Sequence, residues 1–262
     1  MTEEELDDLE LLPQKKLHFE WLLPVLFRPR STFEKVVKQP NSVWLTPMLV
    51  LSILLVVLAL VSSPIRAMNS QMGAELPPDF DYFPPEQQQA IIEGQQSMSG
   101  PVFTLVFPLL GSLAGLWIVW LVLGSILHLT LTFFGSRSRT KSALNITAWA
   151  SMPFAIRYLV QIIAILVTRQ LVASPGLSGF FAADMGGFRL FLSLLFGLID
   201  IYTIWHVILL VLGVKAVSNL TSSKAWASVL LAVVVMFLIQ AGFGLLGSKL
   251  GNNGGARPFF FF

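Results

Sequence analysis

Five apolar stretches carry most of this chain. They run Trp44–Val61, Phe103–Phe134, Ala148–Thr168, Phe188–Gly213 and Trp226–Gly247. Each meets or approaches the ~20 residues that a helix needs to cross ~30 Å of hydrocarbon. A soluble helix of that length would carry a polar stripe on its wet face, recurring every three or four residues. The run from Leu230 to Ile239 (Leu-Leu-Ala-Val-Val-Val-Met-Phe-Leu-Ile) has none. Only 12% of the 262 residues are charged, against about 25% in soluble domains. The pattern predicts an all-α membrane protein, a five-helix transmembrane bundle with an N-terminal interfacial amphipathic helix.

The same composition removes several function classes. With no cysteine there is no disulfide framework, thiolate chemistry or Cys-based metal site. A net charge of +2 is no nucleic-acid footprint, and no nucleic-acid partner is expected. The start, Thr2-Glu3-Glu4-Glu5-Leu6-Asp7-Asp8, is acidic where a signal peptide would be basic and then apolar, so no cleavable leader is expected. There is no Walker-type loop, HExxH, nucleophile elbow or intramembrane carboxylate pair on one span. We therefore expect no enzymatic activity, no cofactor and no metal.

Lys and Arg concentrate on the cytoplasmic side of membrane proteins. Lys15, Lys16, Arg28, Arg30, Lys35 and Lys38 precede the first span. Arg137, Arg139 and Lys141 follow the second, and Lys215 and Lys224 follow the fourth. The opposite segments are poorer, with Arg66 alone in the long first loop. This bias puts the N-terminus in the cytoplasm and the C-terminus outside, with a bacterial inner (plasma) membrane as the expected location. The chain then divides into an acidic tip (1–16), a cytoplasmic collar (17–43), the five-span domain (44–247, with an outer loop at 62–100) and a C-terminal tail (248–262).

In the collar, Trp21 and Phe27 suit the headgroup layer. Ser31 and Glu34 form a capping box that predicts a helix start at Ser31. Phe33, Val36 and Val37 are expected to face lipid, while Arg28, Arg30, Lys35 and Lys38 face water or anionic headgroups. Two prolines, Pro101 and Pro108, predict a late start or a kink in the second span. In the outer loop, Pro85 suits the first turn of a helix through Glu93. Asp79 and Asp81 are only two ligands with no His, whereas oxygen-only calcium sites need six to eight. Phe259 to Phe262 at the end of the tail are expected to fold onto the membrane surface or into a partner's groove.

Ionisable residues deep in the spans are functional candidates. At ~1.5 Å per residue, Arg157 lies roughly 13 Å from the inner face, Gln161 roughly 20 Å, and Asp200 and Gln240 each roughly 21 Å. Arg157 can snorkel toward the others. Two readings stand for this layer. It is a polar site handling a proton, ion or lipid headgroup, or it is an ion pair and hydrogen-bonded glue that fixes helix packing. The broken helices or repeats common at transporter sites are not evident in the sequence. His128 and His206 are expected in interhelical hydrogen bonds or at the interface. Gly111 and Gly115 form a small-xxx-small motif that predicts a close helix contact.

Three stretches resemble the Yip (Ypt-interacting protein) family of membrane proteins, in its bacterial branch. One is the entry from Leu26 to Val37 (Leu-Phe-Arg-Pro-Arg-Ser-Thr-Phe-Glu-Lys-Val-Val), with Pro40 and Pro47 after it. Another is Gly135 to Leu144 followed by Ala148-Trp149-Ala150-Ser151-Met152-Pro153. The third runs from Ile204-Trp205-His206 through Gly213-Val214-Lys215 to Lys224-Ala225-Trp226. The resemblance spans roughly residues 25–247 and leaves out the acidic loop and the tail. It implies a five-span protein with a cytoplasmic N-terminus and no enzymatic activity. Eukaryotic relatives bind Rab-type GTPases, but this chain has no long cytosolic domain for that. Prokaryotic relatives look like accessory membrane subunits, some serving ABC-type exporters. The expected partners are membrane lipids and other membrane subunits, with an ABC exporter as candidate. Two other readings are a small transporter or channel using the polar layer, and a membrane-shaping protein acting through its collar.

Overall fold

The computed structural model describes residues 17–39, 41–72, 80–172, 176–180 and 187–250. The acidic tip, Asp79 and the phenylalanine tail lie outside these residues. Ten α-helices are described: α1 (Leu22–Phe27), α2 (Pro29–Lys38), α3 (Leu45–Met72), α4 (Pro85–Met98), α5 (Phe107–Phe133), α6 (Thr140–Ala150), α7 (Pro153–Thr168), α8 (Phe188–Gly197), α9 (Ile201–Val217) and α10 (Ser222–Leu250). No strand occurs among the described residues.

Four apolar rods are long enough to cross a bilayer: Leu45–Gln71, Val102–Phe133, Thr140–Thr168 and Ser222–Gly247. The fifth is not straight, because α8 and α9 meet at 66°. Large apolar side chains such as Ile53, Leu121, Ile163 and Leu238 point outward, as they do when the surrounding solvent is lipid. The α6–α7 rod is the most enclosed of the four, and it packs against α3, α5 and α9.

Several boundaries differ from the sequence reading. The helix of the first span continues past Val61 to Met72, through Pro64, so the segment after Val61 begins as helix. The second span is neither delayed nor sharply kinked by its prolines. Pro101 sits just before one wide turn (Val102–Val106), and Pro108 follows that turn within one continuous rod, Val102–Phe133, where the widened turn accommodates a residue with no N–H to donate. The helix expected after Pro85 is present as α4.

The collar departs most from expectation. Its main helix starts at Pro29, not Ser31. Proline's fixed φ suits the first helical position, and this puts Ser31 inside the first turn, where its hydroxyl donates to the Arg28 carbonyl (3.1 Å) instead of capping. Phe33 and Val36 do not face lipid. They are 0% and 1% exposed, because α2 packs between α6 and α9. Trp21 likewise leaves the headgroup layer. It is buried, stacked on His18 and tilted against Trp149. Leu23 and Phe27 remain exposed. At this wet end the hydrophobic effect still operates, and burying a residue such as Phe33 contributes about 1.5–3 kcal/mol.

A hydrogen-bonded latch fixes the collar to the third span. The Val43 N–H donates to Asn145 Oδ1 (3.1 Å), and Trp149 Nε1 donates to the Val43 carbonyl (3.1 Å). The neighbouring Trp44 packs against Trp117 and Trp120. Because α2 packs on α6 and on α9 near Gly213, the collar, the 134–140 loop and the 217–222 turn share one end of the bundle. That end carries the exposed cations Arg28, Arg30, Lys35, Lys38, Arg137, Arg139, Lys215 and Lys224.

Gly213 makes the collar's seat possible. A Cβ there would lie 2.5 Å from Ile146 Cγ2 and 3.1 Å from the Phe33 ring. Gly213→Ala is expected to lower stability by about 1–3 kcal/mol through overpacking. Ile146→Ala in the same chain should recover part of that loss, giving a non-additive double-mutant cycle in thermal unfolding of the detergent-solubilised protein. Strict additivity would place the clash elsewhere.

Candidate functional site

The fourth span breaks at Gly197-Leu198-Ile199-Asp200. Asp200 adopts extended backbone as the N-cap of α9, and its Oδ1 accepts a 2.7 Å hydrogen bond from the Thr203 N–H. An Asp three residues before a helical N–H is a strong helix-start signal, and Gly197 closes the preceding helix. The sequence reading, a continuous helix from Phe188 to Gly213 with no broken span, is corrected here. Apolar content on both sides masks the break.

Breaking a helix frees backbone groups that cannot stay unpaired in hydrocarbon. The Ile199 carbonyl accepts from the Leu177 N–H (3.2 Å), and the Leu198 carbonyl accepts from the Thr203 hydroxyl (2.8 Å). The Gly176–Phe180 turn that supplies Leu177 lies flat against the break. A Cβ at Gly176 would sit 2.7 Å from both the Gly197 and Ile199 carbonyl oxygens, and its φ of 56° favours glycine.

The other Asp200 oxygen, Oδ2, lies 3.4 Å from Arg157 Nη1, and Arg157 is buried in the third span. The guanidinium also sits 5.9 Å from the centre of the Phe154 ring. The carboxylate therefore serves two partners, a half-helix N-terminus, where the dipole favours a negative charge, and a buried cation.

Arg157 also lines a cavity of about 80 Å³ among α5, α6, α7, α9 and α10. That volume holds several water-sized groups. Its polar lining comprises Thr147, Ser151, Arg157, Tyr158, Thr203 and His206, with Gln240 beside them from α10. His206 Nδ1 bridges helices to the Ala150 carbonyl at 2.8 Å.

Of the four residues expected to share a polar layer, Arg157 and Asp200 are paired, Arg157 and Gln240 line one cavity, and Gln161 is not among the lining residues. His128 Nδ1 is buried without a hydrogen-bond partner among the described residues, so no interhelical bond forms there. Gly115 is buried and Gly111 half-buried. Close glycine approaches occur at two positions the spacing rule did not mark, Gly213 and Gly124, where a Cβ would lie 2.6 Å from Leu144 Cδ2. Tyr158 and Thr203 were also missed. Tyr158 carries no motif, and Thr203 matters only once the break exists. No group of His, Asp or Glu among the described residues could hold a metal.

A family model described as "Yip1 domain" matches residues 23–244 of this chain. No curated protein and no solved structure matches it.

The ion pair predicts an unequal mutation series. Asp200→Asn keeps a good N-cap but removes the carboxylate charge that faces the buried Arg157, and should cost up to about 3–5 kcal/mol. Asp200→Ala loses the cap as well and should cost about 1 kcal/mol more. Arg157→Met combined with Asp200→Asn removes the buried cation as well and should recover part of the loss. Thermal unfolding of the four proteins in one detergent checks the order. A double variant as unstable as Asp200→Asn alone would contradict the pairing.

Proposed function

This chain belongs to the Yip1 domain family, and on that premise we propose that it is a non-catalytic accessory subunit that assembles with or regulates a larger membrane complex. An ABC-type exporter in a bacterial inner membrane is the candidate partner. The observation that carries this reading is the collar. Phe33 and Val36 are sunk in the bundle and Val43 is latched to Asn145 and Trp149. Arg28, Arg30, Lys35 and Lys38 therefore stand on a fixed platform. A rigid array of exposed cations is preorganised for an acidic surface and loses little entropy on docking. The positive-inside bias supports a cytoplasmic side for this platform, where an exporter's nucleotide-binding parts would lie.

A second reading, a small transporter, is favoured by one specific feature. The fourth span is broken at Asp200 beside a largely apolar cavity with a few polar groups in its wall, and half-helix termini in mid-membrane are a recurrent device of transporters. Proteoliposome flux unchanged by Asp200→Asn would count against it. The membrane-shaping reading is weakened, because Phe33, the wedge it needs, is fully buried.

Extraction from native membranes in mild detergent separates the first two readings. The accessory role predicts a stoichiometric exporter in the purified material. It also predicts that Glu at positions 28, 30, 35 and 38 releases the exporter without lowering the unfolding temperature. A lone monomer or homo-oligomer would overturn it.

A further inference from the structure

Toward the end opposite the collar, one face of α3 carries small hydroxyls and a single cation. Ser63, Arg66 and Ser70 stand three and four residues apart and so share that face. This stretch of the bundle packs α3 against the wide turn Val102–Val106 and against α4. The hydroxyls are spent within the protein. Thr104 donates to the Gly100 carbonyl (3.1 Å), so the 3.3 Å contact between Ser63 and Thr104 is a donation from Ser63. Ser70 donates to the Ala67 carbonyl (2.9 Å) and to the Ser99 hydroxyl (3.0 Å). Asn69 is exposed and uncharged.

Arg66 is the group left over. It is half-buried, and its guanidinium has no hydrogen-bond or ion-pair partner among the described residues. Nη1 is enclosed by the protein and reaches no ligand. Nε and Nη2 are neither enclosed nor bonded, and together they make one two-pronged side of the guanidinium fork. Asp81, Glu86 and Glu93, the described carboxylates that follow α3, are exposed and do not pair with it. A partly desolvated cation without a counter-charge is costly, and an anion from outside the chain would supply the charge. Depth selects the anion. With Leu45 at one hydrocarbon boundary, Arg66 is about 32 Å along the helix, against ~30 Å of hydrocarbon. The guanidinium therefore reaches the headgroup layer of the far leaflet. Val102 and Phe103 on the adjoining turn are exposed and apolar, so this region opens sideways onto acyl chains.

We propose that Arg66 binds the phosphate of a phospholipid in the leaflet opposite the collar, with Nε and Nη2 donating to two phosphate oxygens. Planar two-point pairing of this kind is what a guanidinium offers a phosphate. The proposal holds whether the chain is a subunit or a transporter.

Native mass spectrometry of the purified full chain, titrated with dioleoylphosphatidylglycerol or with dioleoylglycerol, tests this. The two probes share their tails and differ in the phosphate. The chain should hold the phospholipid more tightly than the diacylglycerol. Arg66→Gln should weaken the tightest phospholipid adduct at least about tenfold, the worth of a charge-assisted hydrogen bond. Arg66→Lys, which keeps the charge without the fork, should fall between the two. Excess inorganic phosphate should leave the adduct in place, because it lacks the acyl chains. In lipid-free detergent Arg66→Gln should unfold at or above the wild-type temperature, since no internal partner is lost. Equal phospholipid affinity in Arg66→Gln, equal affinity for the diacylglycerol, or displacement by inorganic phosphate would overturn the proposal. A fall in the lipid-free unfolding temperature of Arg66→Gln would also overturn it, since the guanidinium would then serve a contact within the protein.

Discussion

Inside a bilayer a helix may break only where every freed backbone group finds another partner, and the interior of this protein is arranged around one such break. At Asp200 the carboxylate takes the Thr203 N–H, the Thr203 hydroxyl takes the Leu198 carbonyl, and the Leu177 N–H takes the Ile199 carbonyl. Each repair comes from a different kind of group, and together they satisfy a backbone that hydrocarbon could not solvate. The capping carboxylate brings a charge to that depth, and Arg157 from the third span answers it. The bend then directs α8 toward α10 and leaves α9 against α6 and α7, and the cavity lies between them.

The two ends of the bundle are held by different forces. At the collar end, water is close and burial of Trp21, Val25, Phe33 and Val36 is driven by the hydrophobic effect. Further into the membrane, lipid is as apolar as leucine, and helices associate through close approach and polar contacts instead. The His206 bridge to Ala150 is of that kind. The Asn145 and Trp149 latch joins the two regimes, tying the collar to the most enclosed rod.

The helical class and the rough spans were legible in the sequence because hydropathy over twenty residues is a strong signal. Depth alone put Arg157, Asp200 and Gln240 in one layer; Arg157 pairs with Asp200 and lines one cavity with Gln240. Gln161 does not line the cavity that Arg157 and Gln240 share, since depth along a helix does not say which face a residue occupies. The break went unread because hydropathy ignores capping, and Asp200 looks the same as a buried charge or as an N-cap. Phe33 was misassigned because an amphipathic helix beside a membrane has two apolar surfaces to choose from, lipid or protein. Gly213, which admits its ring, lies 180 residues away. Tyr158 was invisible because an orphaned hydroxyl is a property of its neighbours, not of its own sequence.

The central claim is that the fourth span is bent at a capped half-helix in the membrane. The chain has no cysteine, so spin labels attach only where cysteine is introduced, and Phe188 and Lys215 are both exposed. Arms of about 15 and 21 Å bent by 66° from a straight line give a separation of about 30 Å between these sites. A continuous helix gives about 40 Å. Pulsed electron paramagnetic resonance on the doubly labelled protein in lipid nanodiscs measures this directly. A distribution centred near the shorter distance is the predicted result, and one centred near the longer distance would contradict the account.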